Sequence, residues 1–472
     1  MKRTKLYLLV GAVPALALTG AALTASADSD GDKLRAVDPS GVIRTVTNTG
    51  ELDLDNPFFK SMGTNGRSCV TCHQPGDAWS VTPEHLQQRF DRSEGLDPIF
   101  RTNDGSNSPL ANVSTVHARR KAYSMLLNRG VIRVGLPIPP KADYELTAVD
   151  DPYGYASAKE LSLFRRPLPS TNLRFITGVM WDGRETIGKF VPGNPTTSAQ
   201  TLTDSLGHQA IDATTGHAQA SAPPTAEQVA QIIALETGLT TAQERDNDAG
   251  SLHSHGAEGG VKNLVDQLFY VGINDTLGAD PTGAAFNPSA MSLYDNWADP
   301  SNPLDEDDHE GRRKEAREAV ARGEMLFNTR PISITGVGGL NDALGKPVIA
   351  GTCTTCHSSP NVGNHSVALP LNIGLTDASR RTPDMPLYTL HHLGTNDFVQ
   401  TTDPGKALLS GKWADIGKFK GPILRGLAAR APYFHNGFAA SLGDVVDFYN
   451  TRFNADFTGS EKADLVAFLK TL

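Results

Sequence analysis

Two segments of this chain could do chemistry on their own spacing: Cys69-Val70-Thr71-Cys72-His73 and Cys353-Thr354-Thr355-Cys356-His357. Together they use all four cysteines. A Cys-x-x-Cys-His run is the attachment pattern of a c-type haem. Two thiols add to the haem vinyl groups, and the adjacent histidine lies beneath the iron as its proximal ligand. The candidates for attachment are therefore Cys69, Cys72, Cys353 and Cys356, with His73 and His357 as iron ligands. A zinc site split between the two motifs, or two disulfides, are the alternatives that the residue types leave open.

Those motifs must be carried on a framework. They lie far apart in a chain of 472 residues, which is too long for one core and points to two or three domains. We expect residues 1–27 to be a signal peptide, 28–310 a first cytochrome c-like domain with large loop insertions, and 311–472 a second. The boundary follows from the acidic run Asp305-Glu306-Asp307-Asp308, which reads as a linker. Glu315–Phe327 reads as an amphipathic helix leading to the second motif. Thr225–Gln243 reads as a helix after Pro223-Pro224, and Val261–Val271 as another. Residues 92–115, 136–153 and 190–200, punctuated by Pro, Gly, Asn and Ser, read as loops, and 272–305 as an inserted surface loop. Strand alternation is scarce, so the fold class expected is mainly α.

The first residues fit export. Lys2, Arg3 and Lys5 precede an apolar stretch from Leu6 to about Leu23, and Ala25-Ser26-Ala27 offers small residues for cleavage near Ala27. No later segment reaches ~18 uncharged apolar residues, so no membrane span is expected. Export and haem attachment together imply a periplasm. Residues 1–27 hold three of the 43 basic side chains and none of the 52 acidic ones, so their loss moves the net charge from −9 to −12. Such a surface argues against nucleic acid as a partner and suits a basic electron-transfer partner.

Three further stretches give a resemblance. Met180-Trp181-Asp182-Gly183-Arg184-Glu185 lies between the haem motifs. Pro422-Ile423-Leu424-Arg425-Gly426-Leu427 and Ala431-Pro432-Tyr433-Phe434-His435-Asn436-Gly437 lie near the end. With the two haem motifs, they make the chain resemble the bacterial dihaem cytochrome c peroxidase and MauG superfamily. The stretch from about Gly323 onward is the most similar, whereas roughly 85–165 and 245–310 exceed a minimal member.

The resemblance implies that the N-terminal haem reacts with peroxide and that the C-terminal haem accepts or stores electrons. Trp181 would lie between them, since an indole is large, polarisable and able to hold a transient hole. A core tryptophan with a satisfied N–H is the plain alternative. In the peroxidases the sixth ligand of the C-terminal haem is a methionine fourteen residues past the histidine of the Pro-Tyr-x-His-x-Gly turn, and in MauG a tyrosine. Here that position is Tyr449, on a helix for which Ser441 and Asp444 form a capping box. A core tyrosine bonded elsewhere is the other reading. A phenolate is a hard anionic donor and favours ferric iron.

The distal pocket departs from the pattern. The superfamily places a glutamine and, ten residues on, a glutamate over the N-terminal haem. Gln209 matches the first, but Gln219 stands at the second. His217 is the substitute we expect for acid–base work, because an imidazole with pKa near ~6.5 moves protons and an amide does not. A surface-loop His217 is the alternative. His85, twelve residues past His73, is the nearest candidate for a removable ligand, but its surroundings read as a helix rather than a mobile loop. Arg67 and Arg425 could pair with haem propionates. Calcium between the domains is also implied, held by carbonyls around Arg430 and Pro432 with Asn107.

The expectation is a periplasmic dihaem enzyme that reacts with hydrogen peroxide. Its electrons would come from a small cytochrome or cupredoxin, or, as in MauG, from an oxidisable organic or protein substrate. Tyr449 favours the second. A dihaem electron carrier without peroxide turnover is the alternative from another class.

Overall fold

The computed structural model describes residues 33–299, 301 and 310–472. Residues 1–27, expected to be a signal peptide, and the acidic run Asp305–Asp308 lie outside the described residues. Among the described residues, no helix is long and apolar enough to cross a membrane.

The helices that matter most are set by their caps. Thr225 and Gln228 close a capping box on the helix Ala226–Gly238. Ser441 and Asp444 do the same for Leu442–Phe453, and Thr458 and Glu461 for Gly459–Lys470. Each such cap contributes about 1 kcal/mol. The helix Glu310–Thr329 packs against Gly459–Lys470 at unusually close range. A Cβ on Gly323 would lie 2.1 Å from the Asp464 carbonyl oxygen, so only glycine fits there.

Several expectations change in detail. The helix that begins after Thr225 stops at Gly238, and Leu239–Asp246 is a strand. Its Thr240, Thr241 and Ala242 pair with the strand Gly41–Thr47, where β-branched side chains pack well. Expected loop 136–153 contains the strand Tyr144–Asp150, and expected loop 190–200 contains the start of the helix Pro195–Asp212. Asn194 caps that helix, its Oδ1 accepting from the Thr197 amide at 3.0 Å. Val261–Val271 is helical only to Asp266. The stretch 272–305 is not all surface, because Met291, Leu293, Tyr294 and Trp297 are buried.

The expectation of a mainly α chain understates the strands, which number eleven in four small sheets among the described residues. The largest runs Lys33–Asp38, Gly41–Thr47, Leu239–Asp246, Gly250–Ser251 and is antiparallel throughout. A second joins Phe398–Thr401 and Leu387–His392 to Tyr144–Asp150. Strands such as Leu161–Arg165 are buried at every position, so they show no polar alternation to read.

One large core unites Met291, Tyr294 and Trp297 with Val320, Phe327, Leu465 and Phe468 and packs around Cys353. A second, around Phe58, Trp79, Ile232 and Leu239, packs around Cys69 and Val70. Cys356 packs instead against the cluster of Ile334, Val337 and Phe453, and Cys72 against that of Leu86, Phe90 and Leu126.

Candidate functional site

Both cysteine motifs are built the same way. Cys69–Thr71 and Cys353–Thr355 are single helical turns. The residue before each turn gives its amide to the third side chain: Ser68 N to Thr71 Oγ1 at 3.0 Å, and Thr352 N to Thr355 Oγ1 at 2.9 Å. These hydroxyl clamps present both thiols and the following histidine on one side. His73 donates Nδ1–H to the Trp79 carbonyl at 3.0 Å, and His357 donates to the Gly363 carbonyl at 2.6 Å. With Nδ1 committed, Nε2 is the free lone pair, the form in which a ligating histidine is ordinarily fixed. Burial lowers the His73 imidazole to about 4, so it is neutral and ready to ligate.

The cysteines are unpaired, and burial pushes the Cys69, Cys353 and Cys356 thiols up to about 12. Cys69 and Cys72 line one cavity, Cys353 and Cys356 another. Neither disulfides nor a single zinc site joining the motifs exists in this arrangement. The cavities hold about 1610 and 1720 Å³, open solvent at their mouths included. Their walls also contain unsatisfied polar atoms. Both ring nitrogens of His435 and the Nε atoms of Arg425 and Arg430 are buried without a hydrogen-bond partner. Such atoms carry a penalty unless a bound group satisfies them. A large apolar ring system with anionic arms, as haem is, fits both the space and the orphaned donors.

The two cavities share a wall that includes Arg166, Trp181, Lys420 and Arg430. Trp181 is buried in that partition and donates Nε1–H to the Arg166 carbonyl at 2.8 Å. Its ring meets the His435 imidazole edge-on at 6.2 Å, and His435 stacks on Phe419 at 4.1 Å. The following residue, Asp182, anchors the turn. It takes an Arg165 Nη1 hydrogen bond at 2.5 Å, while Asp403 takes the Nε and Nη2 of the same arginine at 2.7 and 2.9 Å. Burial alone would raise the Asp182 carboxyl, but Arg165 and Arg184 hold it at about 2.

Over the first cavity, Gln209 and His217 lie on one continuous element. The helix Pro195–Asp212 runs into a wider π turn, Ala213–His217, a form that favours functional sites. Both residues line the cavity with His73. His217 donates Nδ1–H to Asp104 Oδ2 at 2.5 Å, and Asp104 Oδ1 accepts from Arg67 Nη1 at 2.5 Å. Burial would raise the Asp104 carboxyl, but the His217 hydrogen bond and the Arg67 charge hold it below the usual carboxylate range. Asp104 is absent from any motif: it lies in a loop, and only the fold brings it to His217. Arg67 also engages the Pro98 and Ile99 carbonyls at 2.8 and 2.6 Å. Arg425 lines the first cavity and donates to the Asn361 carbonyl at 3.0 Å.

In the second cavity the Tyr449 ring is 6.4 Å from that of His357, at 79° to it. Tyr449 stacks on Phe453, and its hydroxyl makes no hydrogen bond among the described residues. His85 lies on the helix Pro83–Ser93, bonds Asp77 at 2.6 Å, and lines neither cavity.

Comparison with known proteins gives partial matches. No family model matches the chain. It is 35% identical over 136 residues to cytochrome-c peroxidase IdrP2 of Denitromonas iodatirespirans, covering 26% of this chain and 36% of that protein. It is 31% identical over 123 residues to cytochrome c551 peroxidase of Nitrosomonas europaea, covering 25% and 30%. The chain thus spans about a third of the length of the curated relatives it matches. Among solved structures, a MauG-like protein associated with microbial copper homeostasis aligns over 93% of both chains at 17% identity, with a TM-score of only 0.39.

Proposed function

We propose that this relative of the bacterial cytochrome c peroxidases is an exported oxidoreductase with two covalent c-type haems. It would react with hydrogen peroxide in the cavity of His73 and exchange electrons with the cavity of His357. The observation that carries the reading is the shared wall: two cavities, each with a Cys-x-x-Cys-His motif of committed Nδ1, separated by Trp181. Bound haem would supply iron for peroxide reduction and for electron storage.

The chain's own residues do the rest. Peroxide needs two electrons and two protons to leave as two waters. His217, oriented by Asp104, would take the proton from the entering peroxide on Nε2 and return it to the departing oxygen. Gln209 would orient the peroxide by hydrogen bonding. Trp181 would carry electrons across the wall. Tyr449, with His357, would hold the second iron, and its anionic oxygen would favour oxidation of an organic or protein substrate over turnover fed by a small cytochrome or cupredoxin.

The direct test mixes the ferric holoprotein with peroxide, then adds a reduced cytochrome. We expect both haem spectra to change with peroxide and turnover with the cytochrome to be slow. Unchanged spectra would make the chain an electron carrier.

Trp181→Phe keeps both iron ligands but removes the N–H that satisfies the Arg166 carbonyl. We expect intact haem spectra, slower electron exchange between haems, and a stability loss of about 1–3 kcal/mol. Rapid mixing and denaturant unfolding read the two effects, and undiminished exchange would remove Trp181 from the route.

Tyr449→Met replaces a hard anionic donor with a soft neutral one. The second haem's potential should rise by on the order of tenths of a volt, given that axial ligands set a span of ~0.8 V. Cytochrome-fed turnover should improve. An unchanged potential in a redox titration would mean that Tyr449 is not a ligand.

A further inference from the structure

The resemblance implies a calcium ion between the two haem-bearing halves, and two of the three oxygens expected to hold it are already engaged. Asn107 Oδ1 accepts from the Met125 amide at 3.1 Å. The Arg430 carbonyl accepts from Arg166 Nη2 at 3.0 Å. That guanidinium is buried and reaches two more carbonyls: Val81 O from Nη2 at 2.7 Å and Arg129 O from Nη1 at 3.0 Å. Calcium would need six to eight oxygens at ~2.3–2.6 Å. Here three inward-turned carbonyls already serve one fixed positive charge, which would repel a second. The residues present do not fit calcium.

We propose that Arg166 replaces the divalent ion with a built-in cation, which clamps the two halves together and positions Trp181 without any metal. Val81 and Arg129 lie in the first half of the chain, and Arg430 near its end. The backbone of Arg166 repeats the connection: its amide donates to the His435 carbonyl at 2.7 Å, and its carbonyl accepts from Trp181 at 2.8 Å. One residue therefore touches the tryptophan of the partition, the Pro-Tyr-x-His-x-Gly turn and two segments of the first half.

The surroundings are shaped for the guanidinium. Gly130 ends the helix Ser124–Arg129 with φ +59°, and a Cβ there would lie 2.4 Å from Arg166 Nη1. Any other residue would both strain the turn and collide with the arginine. The charged and titratable groups facing Arg166 are Arg430, Asp77 and Tyr433. Burial first, then Arg430, lowers the guanidinium to about 10, so it remains cationic at neutral pH. A lysine would not serve equally: its single ammonium lacks the planar fork that spans separate carbonyls. Arg166 is a positioning residue, since it acts through Trp181. Only that second part rests on the proposed role of Trp181. Independence from metal does not.

The test uses the two-haem holoprotein. Metal content, haem spectra and the unfolding midpoint are measured after exhaustive chelation with EGTA, and again with added calcium chloride. We expect no bound calcium and no change in either property. Stoichiometric calcium whose removal alters the spectra or lowers the midpoint would overturn the proposal. Arg166→Gln and Arg166→Lys form the second arm. Both should lower the midpoint, and Lys should recover part of the loss. Electron exchange between haems should slow in Arg166→Lys at temperatures where it is fully folded, which a purely structural role would not cause. Wild-type midpoint and exchange in either variant would also overturn it. If Arg166→Gln yields no folded protein, Arg166→Lys and the chelation arm decide. Failure of the peroxide reading would show as an unreactive wild-type protein and would leave metal content and midpoint untouched.

Discussion

Replacing His217 with alanine is expected to slow the reaction with hydrogen peroxide by about 10²–10⁴-fold, the usual worth of a positioned general acid–base. The expectation rests on orientation as much as on the imidazole. Asp104 holds Nδ1–H, which leaves Nε2 facing the cavity shared with His73 and Gln209. Asp104→Asn should reproduce much of the loss, because an amide does not hold the same tautomer. It should also destabilise the fold, since Arg67 would keep a buried charge without its carboxylate. Removing one partner of a buried pair costs about 3–5 kcal/mol. Rates must therefore be read on the folded fraction. Combined, the two substitutions should cost little more in rate than His217→Ala alone, as groups acting as a unit are non-additive. Stopped-flow mixing of the holoprotein with peroxide is the measurement. A rate for His217→Ala close to that of the unaltered protein would return its role to solvent.

Replacing Cys353 and Cys356 together with alanine should leave one covalent haem per chain. The two motifs occupy separate cavities with separate apolar surroundings, so the first should load normally. Electron exchange should vanish, because its partner is gone, while first-haem spectra persist. The helices Glu310–Thr329 and Gly459–Lys470 pack on the core around Cys353. An unfilled cavity there should therefore lower the unfolding midpoint as well. Pyridine haemochrome per polypeptide and haem staining after denaturation give the count. Two covalent haems remaining would sink the assignment, as would structural zinc by metal analysis.

What could be read directly was local. The haem motifs, the capping box at Ser441, and the helical setting of His85 are each written within a few consecutive residues. Trp181 was legible through its motif, though only the fold shows that it stands in the wall between cavities. The less legible features were long-range or buried on all sides. Asp104 meets His217 across 113 residues and Arg166 meets Arg430 across 264, so no local spacing marks either. The strand Leu239–Asp246 follows directly on the helix Ala226–Gly238 with no Gly-Pro break after Leu239, and its switch depends on pairing with Gly41–Thr47. Trp297 and Tyr294 lie in a stretch whose Gly, Pro and Asp content resembles a surface loop, yet their rings pack at 4.7 Å inside the main core.

The sheet that joins Tyr144–Asp150 to Leu387–His392 bears on how the chain is made. Its first strand emerges long before its partner during synthesis, and its hydrogen-bonding edge waits open meanwhile. An open edge is a template for pairing with another chain. The strand carries its own protection: beyond the buried Tyr144 it is mostly exposed, with Glu145 and Asp150 along it. Charges on a waiting edge discourage foreign partners. A truncated chain ending before residue 387 would keep that edge open permanently, so such fragments should self-associate more readily than the whole chain.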